Sequence, residues 1–207
     1  MWPSTVRLVG NYAALELLDQ KHEQDLRESV EDGQLYQLWY TTVPDADGIQ
    51  LEIERRLALR EVGSMLPFAV IEQSSKKAVG MTTYMNIDAV NKRVEIGSTW
   101  YRKSVQRTPI NTECKLLLMT HAFEELNCIA VEFRTHVMNQ KSRQAIERLG
   151  AKFDGILRSH SILDNGTLRD TAVYSVIEPE WPAVKVNLQH KLVNLMHSEA
   201  YVQTLLP

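Results

Sequence analysis

The sequence predicts an α/β chain in which helices pack against a mixed β-sheet. Three observations carry that expectation. Strand-like and helix-like segments follow one another as strand, helices, three strands, helix, strand, helix and two strands. Asp164-Asn165-Gly166, between two β-rich runs, is the strongest hairpin signal in the chain. The stretch "VEIGSTWYRKSVQRTPINTECKLLLMTHAFEEL" carries a strand into a helix through a junction crowded with basic and hydroxyl residues.

Taken in order, Val6 to Gly10 reads as a short opening strand. Residues Tyr12 to Asp32 are helix-compatible, with Leu15, Leu18, Leu26 and Val30 at roughly helical spacing. The aromatic segment that follows holds Pro44 and Gly48 and reads as loop or short turns. Asp47 is placed to cap a helix over Ile49 to Glu61, ended by Gly63. Strands are predicted at Phe68–Gln73 and Ala78–Asn86, joined by "SSKK" as a hairpin, and at Arg93–Tyr101. A helix runs from Pro109 to Leu126, a strand from Cys128 to His136 and a helix from Asn139 to Leu149. The hairpin around Gly166 closes the sheet, and a peripheral helix is expected at Ala183–His197. One domain spans 1–207, with its core at about 6–177 and a peripheral tail at 178–207. Parallel strands in the strand–helix–strand part would require a right-handed crossover.

Composition excludes several classes. The chain has 207 residues, enough for one well-filled core, and its 44% apolar and 24% charged content is ordinary for a globular protein. A net charge of −3 without long runs of one sign argues against binding that rests on phosphate neutralisation, so no nucleic-acid partner is expected. The longest apolar run, "LLLM", is far short of a membrane span, and the N-terminus shows no signal-peptide pattern. Cys114 and Cys128 suit a reducing compartment and read as packed residues, so a cytoplasmic location is expected. No His/Cys/Asp grouping has metal-ligand spacing, and none is assigned to a metal.

The junction itself admits two readings on its residues alone. Thr108 is a natural N-cap, and Pro109 fits the first helical turn because its missing N–H removes only an orphan donor. The result is either a capped helix with basic residues facing water or an anion site built on a helix N-terminus. In the second case Arg107, Thr108, Asn111 and Thr112 offer side-chain donors, and Arg102 and Lys103 add positive charge.

Four groups of residues carry a resemblance to a known family. Val94-Glu95-Ile96-Gly97 is followed, after "QRTPIN", by Thr112-Glu113-Cys114-Lys115-Leu116-Leu117 and Ala122-Phe123-Glu124. Asn139, Ser142, Ala145, Ile146, Leu149, Gly150 and Ala151 form a third word; Asp154 to Arg158, Gly166, Arg169-Asp170 and Tyr174-Ser175 form the last. These words resemble the GNAT superfamily of acyl-CoA-dependent N-acyltransferases, in the branch of ribosomal-protein N-terminal acetyltransferases (RimJ/RimL-like), over residues 6–176. The resemblance implies a mostly antiparallel sheet with helices on both faces, and a V-shaped splay between its two central parallel strands.

It also implies a site. Gln106, Arg107, Thr108, Pro109, Ile110, Asn111 and Thr112 would hold the pyrophosphate of acetyl-CoA, although Pro109 and Asn111 stand where the family places small residues. The backbone of Gly97, Ser98, Thr99 and Trp100 would line the pantetheine arm, with a bulge at Gly97 and an N–H near Ser98 or Thr99 facing the thioester oxygen. Glu95, on the face expected to carry Gly97 and Thr99, would be the general base, or else a structural strand residue. Asn139 would bond the pantetheine, cap its helix, or both, and Ser142 would reach the CoA sulfur, because Ile146 replaces the tyrosine that many members use as acid. His136 and His160 are secondary candidates near the sheet opening, and His121 reads as a core or surface residue. Leu38–Pro44 and Thr82–Asn86 would wall an acceptor pocket. The implied activity is acetyl transfer to a primary amine, on a small molecule or a protein N-terminus; the alternative is a silent acyl-CoA-binding module. Net charge mildly favours a cationic acceptor, and relatives frequently form homodimers.

Overall fold

The computed structural model describes residues 2–203, and side chains through residue 195. Eight strands form one sheet: β1 (Leu8–Val9), β2 (Ala13–Leu17), β3 (Met65–Glu72), β4 (Ala78–Asp88), β5 (Arg93–Tyr101), β6 (Ala130–His136), β7 (Lys152–Ile162) and β8 (Leu168–Ile177). Their spatial order is β1-β2-β3-β4-β5-β6-β8-β7. Every neighbouring pair is antiparallel except β5 and β6. Helices are α1 (Glu23–Glu31), α2 (Ile49–Glu61), α3 (Pro109–Thr120), α4 (Gln140–Leu149) and α5 (Trp181–Gln203). No described helix is long and apolar enough to cross a membrane.

Two apolar clusters lie on the two sides of the sheet. One packs α1 and α2 through Leu26, Val30, Ile49 and Ile53 against Ala14, Ala69, Met81 and Trp100. The larger packs α3, α4 and α5 through Leu118, Met119, Ile146 and Leu188 against Val94, Ile96, Val131, Phe133 and Tyr174.

Three expectations are corrected. Residues Tyr12–Asp32 are not one helix: Ala13–Leu17 forms β2, paired with Phe68–Glu72 of β3, and α1 starts only at Glu23. Ala, Leu and Glu favour helix weakly, and pairing between two neighbouring strands, which buries Ala13, Ala14 and Leu15, outweighs that preference. The C-terminal helix is not peripheral, since Trp181, Val184 and Leu188 belong to the larger core cluster; the tail beyond Gln203 lies outside the described residues. Asp47 does not cap α2 either. Its carboxylate pairs with Arg27 at 3.0 Å, while Asp45 Oδ1 accepts the N–H of Gly48.

Glu113, buried on α3, accepts the backbone N–H groups of Asn11, Tyr12 and Ala13 at 2.7–2.8 Å, tying the β1–β2 turn to that helix. Gly10 is required there, because a Cβ would lie 2.3 Å from the carboxyl carbon.

Candidate active site

The parallel ladder between β5 and β6 has three rungs, Arg93–Ala130, Val94–Val131 and Glu95–Glu132. Beyond them β5 runs on to Tyr101 and β6 to His136 with no further pairing to each other among the described residues. The strands splay, and Glu95 stands at the apex. A cleft of about 670 Å³ lies here, lined by both strands, the first half of α3, one side of α4 along its length, and Tyr40 to Val43 of the loop before α2.

Glu95 is 4% exposed. Its Oε2 accepts from Asn86 Nδ2 at 2.6 Å and lies 3.5 Å from Arg134 Nε. Burial outweighs these partners and holds its pKa above the usual carboxylate value. Gly97 makes room for this carboxylate: a Cβ there would sit 2.7 Å from Glu95 Oε1 and 2.8 Å from Met85 Sδ.

Opposite β4, Gly97 faces Thr83 and Trp100 faces Met81, so β5 carries one residue more than its partner between those rungs. The bulge expected at Gly97 is centred one residue later. Ser98 takes φ +46°, a conformation L-residues rarely adopt. Arg56 of α2, 3% exposed, steadies it by donating Nη2 to Ser98 O (3.1 Å) and Nη1 to Thr83 Oγ1 (2.9 Å) while Nε pairs with Glu52 at 2.6 Å. The extra residue also breaks the alternation. Thr99 does not share the face of Glu95; its hydroxyl turns to Thr82 (2.8 Å) and Lys115 Nζ of α3 (2.9 Å). Trp100 is buried and lines the cleft.

Gln106, Arg107 and Asn111 from the junction and Lys141 and Arg148 from α4 also line the cleft. Thr108 is the N-cap, accepting from Ile110 N–H and donating to Val105 O. Thr108, Pro109 and Ile110 do not line this cleft; they face a second one of about 200 Å³ with Asn11, Tyr12 and Gln73, and Thr112 lines neither. Arg102 is held by Asp32 at 3.0 Å, and neither it nor Lys103 lines the cleft.

Asn139 caps α4 by accepting from Ser142 N–H at 3.1 Å, and both residues line the cleft together with Ile146. His136 is in the cleft wall, His160 binds Thr171 outside it, and His121 is buried against the Tyr84 hydroxyl at 3.2 Å. Of Thr82–Asn86, Met85 lines the cleft, Asn86 holds Glu95 and Tyr84 is in the core.

Sequence reasoning passed over Lys115, Arg56, Arg134 and Arg169, all in the cleft wall. Lys115 is 6% exposed, its Nζ bonded to the hydroxyls of Thr82 and Thr99, and burial lowers its pKa to about 8. Strand alternation could have found Arg134, two residues before His136 on one face.

Comparison with known proteins agrees with this geometry. Residues 14–152 match the acetyltransferase (GNAT) domain model, and the chain belongs to that family. A crystal structure of a GCN5-related N-acetyltransferase from Brucella melitensis is 33% identical, covers 92% of this chain and 86% of its own, and superposes with a TM-score of 0.82. A provisional ribosomal N-acetyltransferase of Bacillus subtilis (strain 168), YdaF, is 37% identical over 106 residues, 51% of this chain. That match spans 57% of the relative's length. RimL, a ribosomal L7/L12 alpha-N-protein acetyltransferase solved with coenzyme A, shares the fold at 20% identity and a TM-score of 0.70, covering 83% of this chain and 98% of its own.

Proposed function

We propose that the protein is an acetyl-CoA-dependent N-acetyltransferase acting on a primary amine, with a peptide N-terminus as the acceptor class to which the ribosomal relative points. The observation that carries this is the splay: a slot between β5 and β6 with a buried carboxylate at its apex and basic residues in the lining of the cleft. The residues fit acetyl-CoA. Arg107, Lys141 and Arg148 match a pyrophosphate, and β5 beyond Glu95 has no partner strand on its β6 side, so its backbone can bond an extended pantetheine arm as an added strand would. Bound there, acetyl-CoA supplies an activated acyl group.

The chain's own residues do the rest. Glu95 takes a proton from the acceptor's ammonium, leaving the lone pair free to attack. Backbone N–H groups at the Ser98–Thr99 bulge face the developing oxyanion. Asn139 orients the arm, and the Ser142 hydroxyl serves the departing sulfur in place of the tyrosine that Ile146 replaces.

Calorimetric titration with CoA, followed by CoA-release assays over a panel of peptide and small-molecule amines, tests this. The expected result is micromolar-to-millimolar binding and turnover with at least one amine. Absence of binding overturns the reading, and binding without turnover supports a silent module instead.

A further inference from the structure

Removing a proton from an amine engages Glu95, yet the same cleft holds two donors that this step does not use. Arg169, at the start of β8, donates Nε to Thr171 Oγ1 at 3.0 Å and forms no ion pair among the described residues. His136 is 4% exposed, and its Nδ1 accepts the Met138 N–H at 3.1 Å. Its proton therefore sits on Nε2, which is buried without a hydrogen-bond partner. Arg134, by contrast, is already engaged, at 2.6 Å from Glu132 and 3.5 Å from Glu95.

These groups share one face. Glu95 pairs with Glu132 across the parallel ladder, and His136 pairs with Thr171, beside Arg169, across the antiparallel one. Partners in a ladder project to the same side. Glu95 and Arg169 lie near enough for each charge to be felt at the other. Trp39 packs edge-on against His136 at 5.2 Å, and Tyr40 closes the same wall. A half-buried guanidinium that makes no direct ion pair among the described residues, with Glu95 felt only at a distance, and an orphaned buried N–H are costly when empty, and a planar carboxylate satisfies both.

We infer that the acceptor is an amine bearing a carboxylate close by, held by the Arg169 guanidinium and His136 Nε2–H while the amine faces Glu95. This rests on the acetyltransferase reading and names its substrate class. The carboxylate is either the α-carboxylate of a free amino acid or an acidic side chain next to a peptide's N-terminus. The net charge of −3, which favours cationic acceptors, acts over the whole surface, whereas this half-buried guanidinium acts at contact.

Two matched pairs test it: an amino acid against its amide, and short peptides with Asp or Asn in second position. The readout is the ratio of kcat/KM within each pair, for the wild type and for Arg169→Gln and Arg169→Lys. The wild type should favour the carboxylate member of one pair by roughly ten- to a hundredfold or more. That pair identifies the source. Arg169→Gln should bring its ratio close to one and Arg169→Lys should keep part of it, while calorimetric CoA binding shows that each variant is folded. A wild type indifferent within both pairs, or an Arg169→Gln that keeps the preference, overturns the inference. If no amine turns over, the acetyltransferase reading fails, and calorimetry with the same pairs still decides: carboxylate-selective binding that Arg169→Gln abolishes supports the inference, and equal heats overturn it.

Discussion

A carboxylate that accepts a proton from an ammonium works better the more basic it is, and burial gives Glu95 that property. Its stabilising contribution is complete below its ordinary value of 4.5 and is lost as pH rises through the higher folded value. Glu95→Gln should therefore raise Tm at neutral pH, by a margin that shrinks as pH falls through the raised folded value and is closed by about pH 4.5, and lower kcat by about a hundredfold or more, most at acidic pH. Thermal melts and pH–rate profiles on one preparation check both. Lys115 gives the opposite sign. Its fall from 10.5 to about 8 corresponds to about 3 kcal/mol against the charged form in the fold. Lys115→Met should stabilise the protein at pH 7, and the gap should close between about pH 8 and 10.5, read by urea unfolding across that range. Glu95, Gln106, Arg107, Asn139 and Ser142 were legible because family words place them. Lys115 and Arg169 lie in the same words, but no role comes with them there; what marks them is burial in the cleft wall without a direct ion pair among the described residues, and only packing creates that.

At the level of elements, α2 acts on β5 through one side chain. Arg56 links Glu52, Thr83 and the Ser98 carbonyl, so the bulge is braced from a helix some forty residues earlier in the chain. Arg56→Met leaves Glu52 to Arg55 alone and releases Ser98. It should cost about 2–3 kcal/mol in urea unfolding and raise the KM for acetyl-CoA several-fold, measured by steady-state kinetics. The sequence predicted α2 and β5 with their observed limits and predicted the bulge, but not its brace. Strand alternation counted through Gly97 places Thr99 beside Glu95; one inserted residue sends its hydroxyl to Lys115 instead. Tyr12–Asp32 failed for another reason. Leu15 and Leu18 fit a helical spacing, and the pairing of β2 with β3, a long-range event, decided the matter.

Across the whole molecule, the parallel β5–β6 pair fits the strand–helix–strand alternation, the placing of β8 between β6 and β7 is decided by long-range pairing, and the hairpin at Gly166 forms as its turn residues require. The sequence carries a core signal for the last helix, since Trp181, Val184 and Leu188 stand at i, i+3 and i+7. Trp181 stacks on Phe123 at 5.2 Å and donates its indole N–H to Glu124 at 2.7 Å. Trp181→Ala should destabilise by about 3–5 kcal/mol in chemical denaturation, far more than loss of an appended segment would. Glu113 couples distant parts in a different way. Because it grips three amides of the amino-terminal turn while belonging to the helix whose Asn111 and Lys115 line the cleft, those two regions are obliged to loosen or tighten together. Stiffness gained on loading the enzyme would then spread to an edge of the sheet about a hundred residues away along the chain, with no contact between that edge and the ligand.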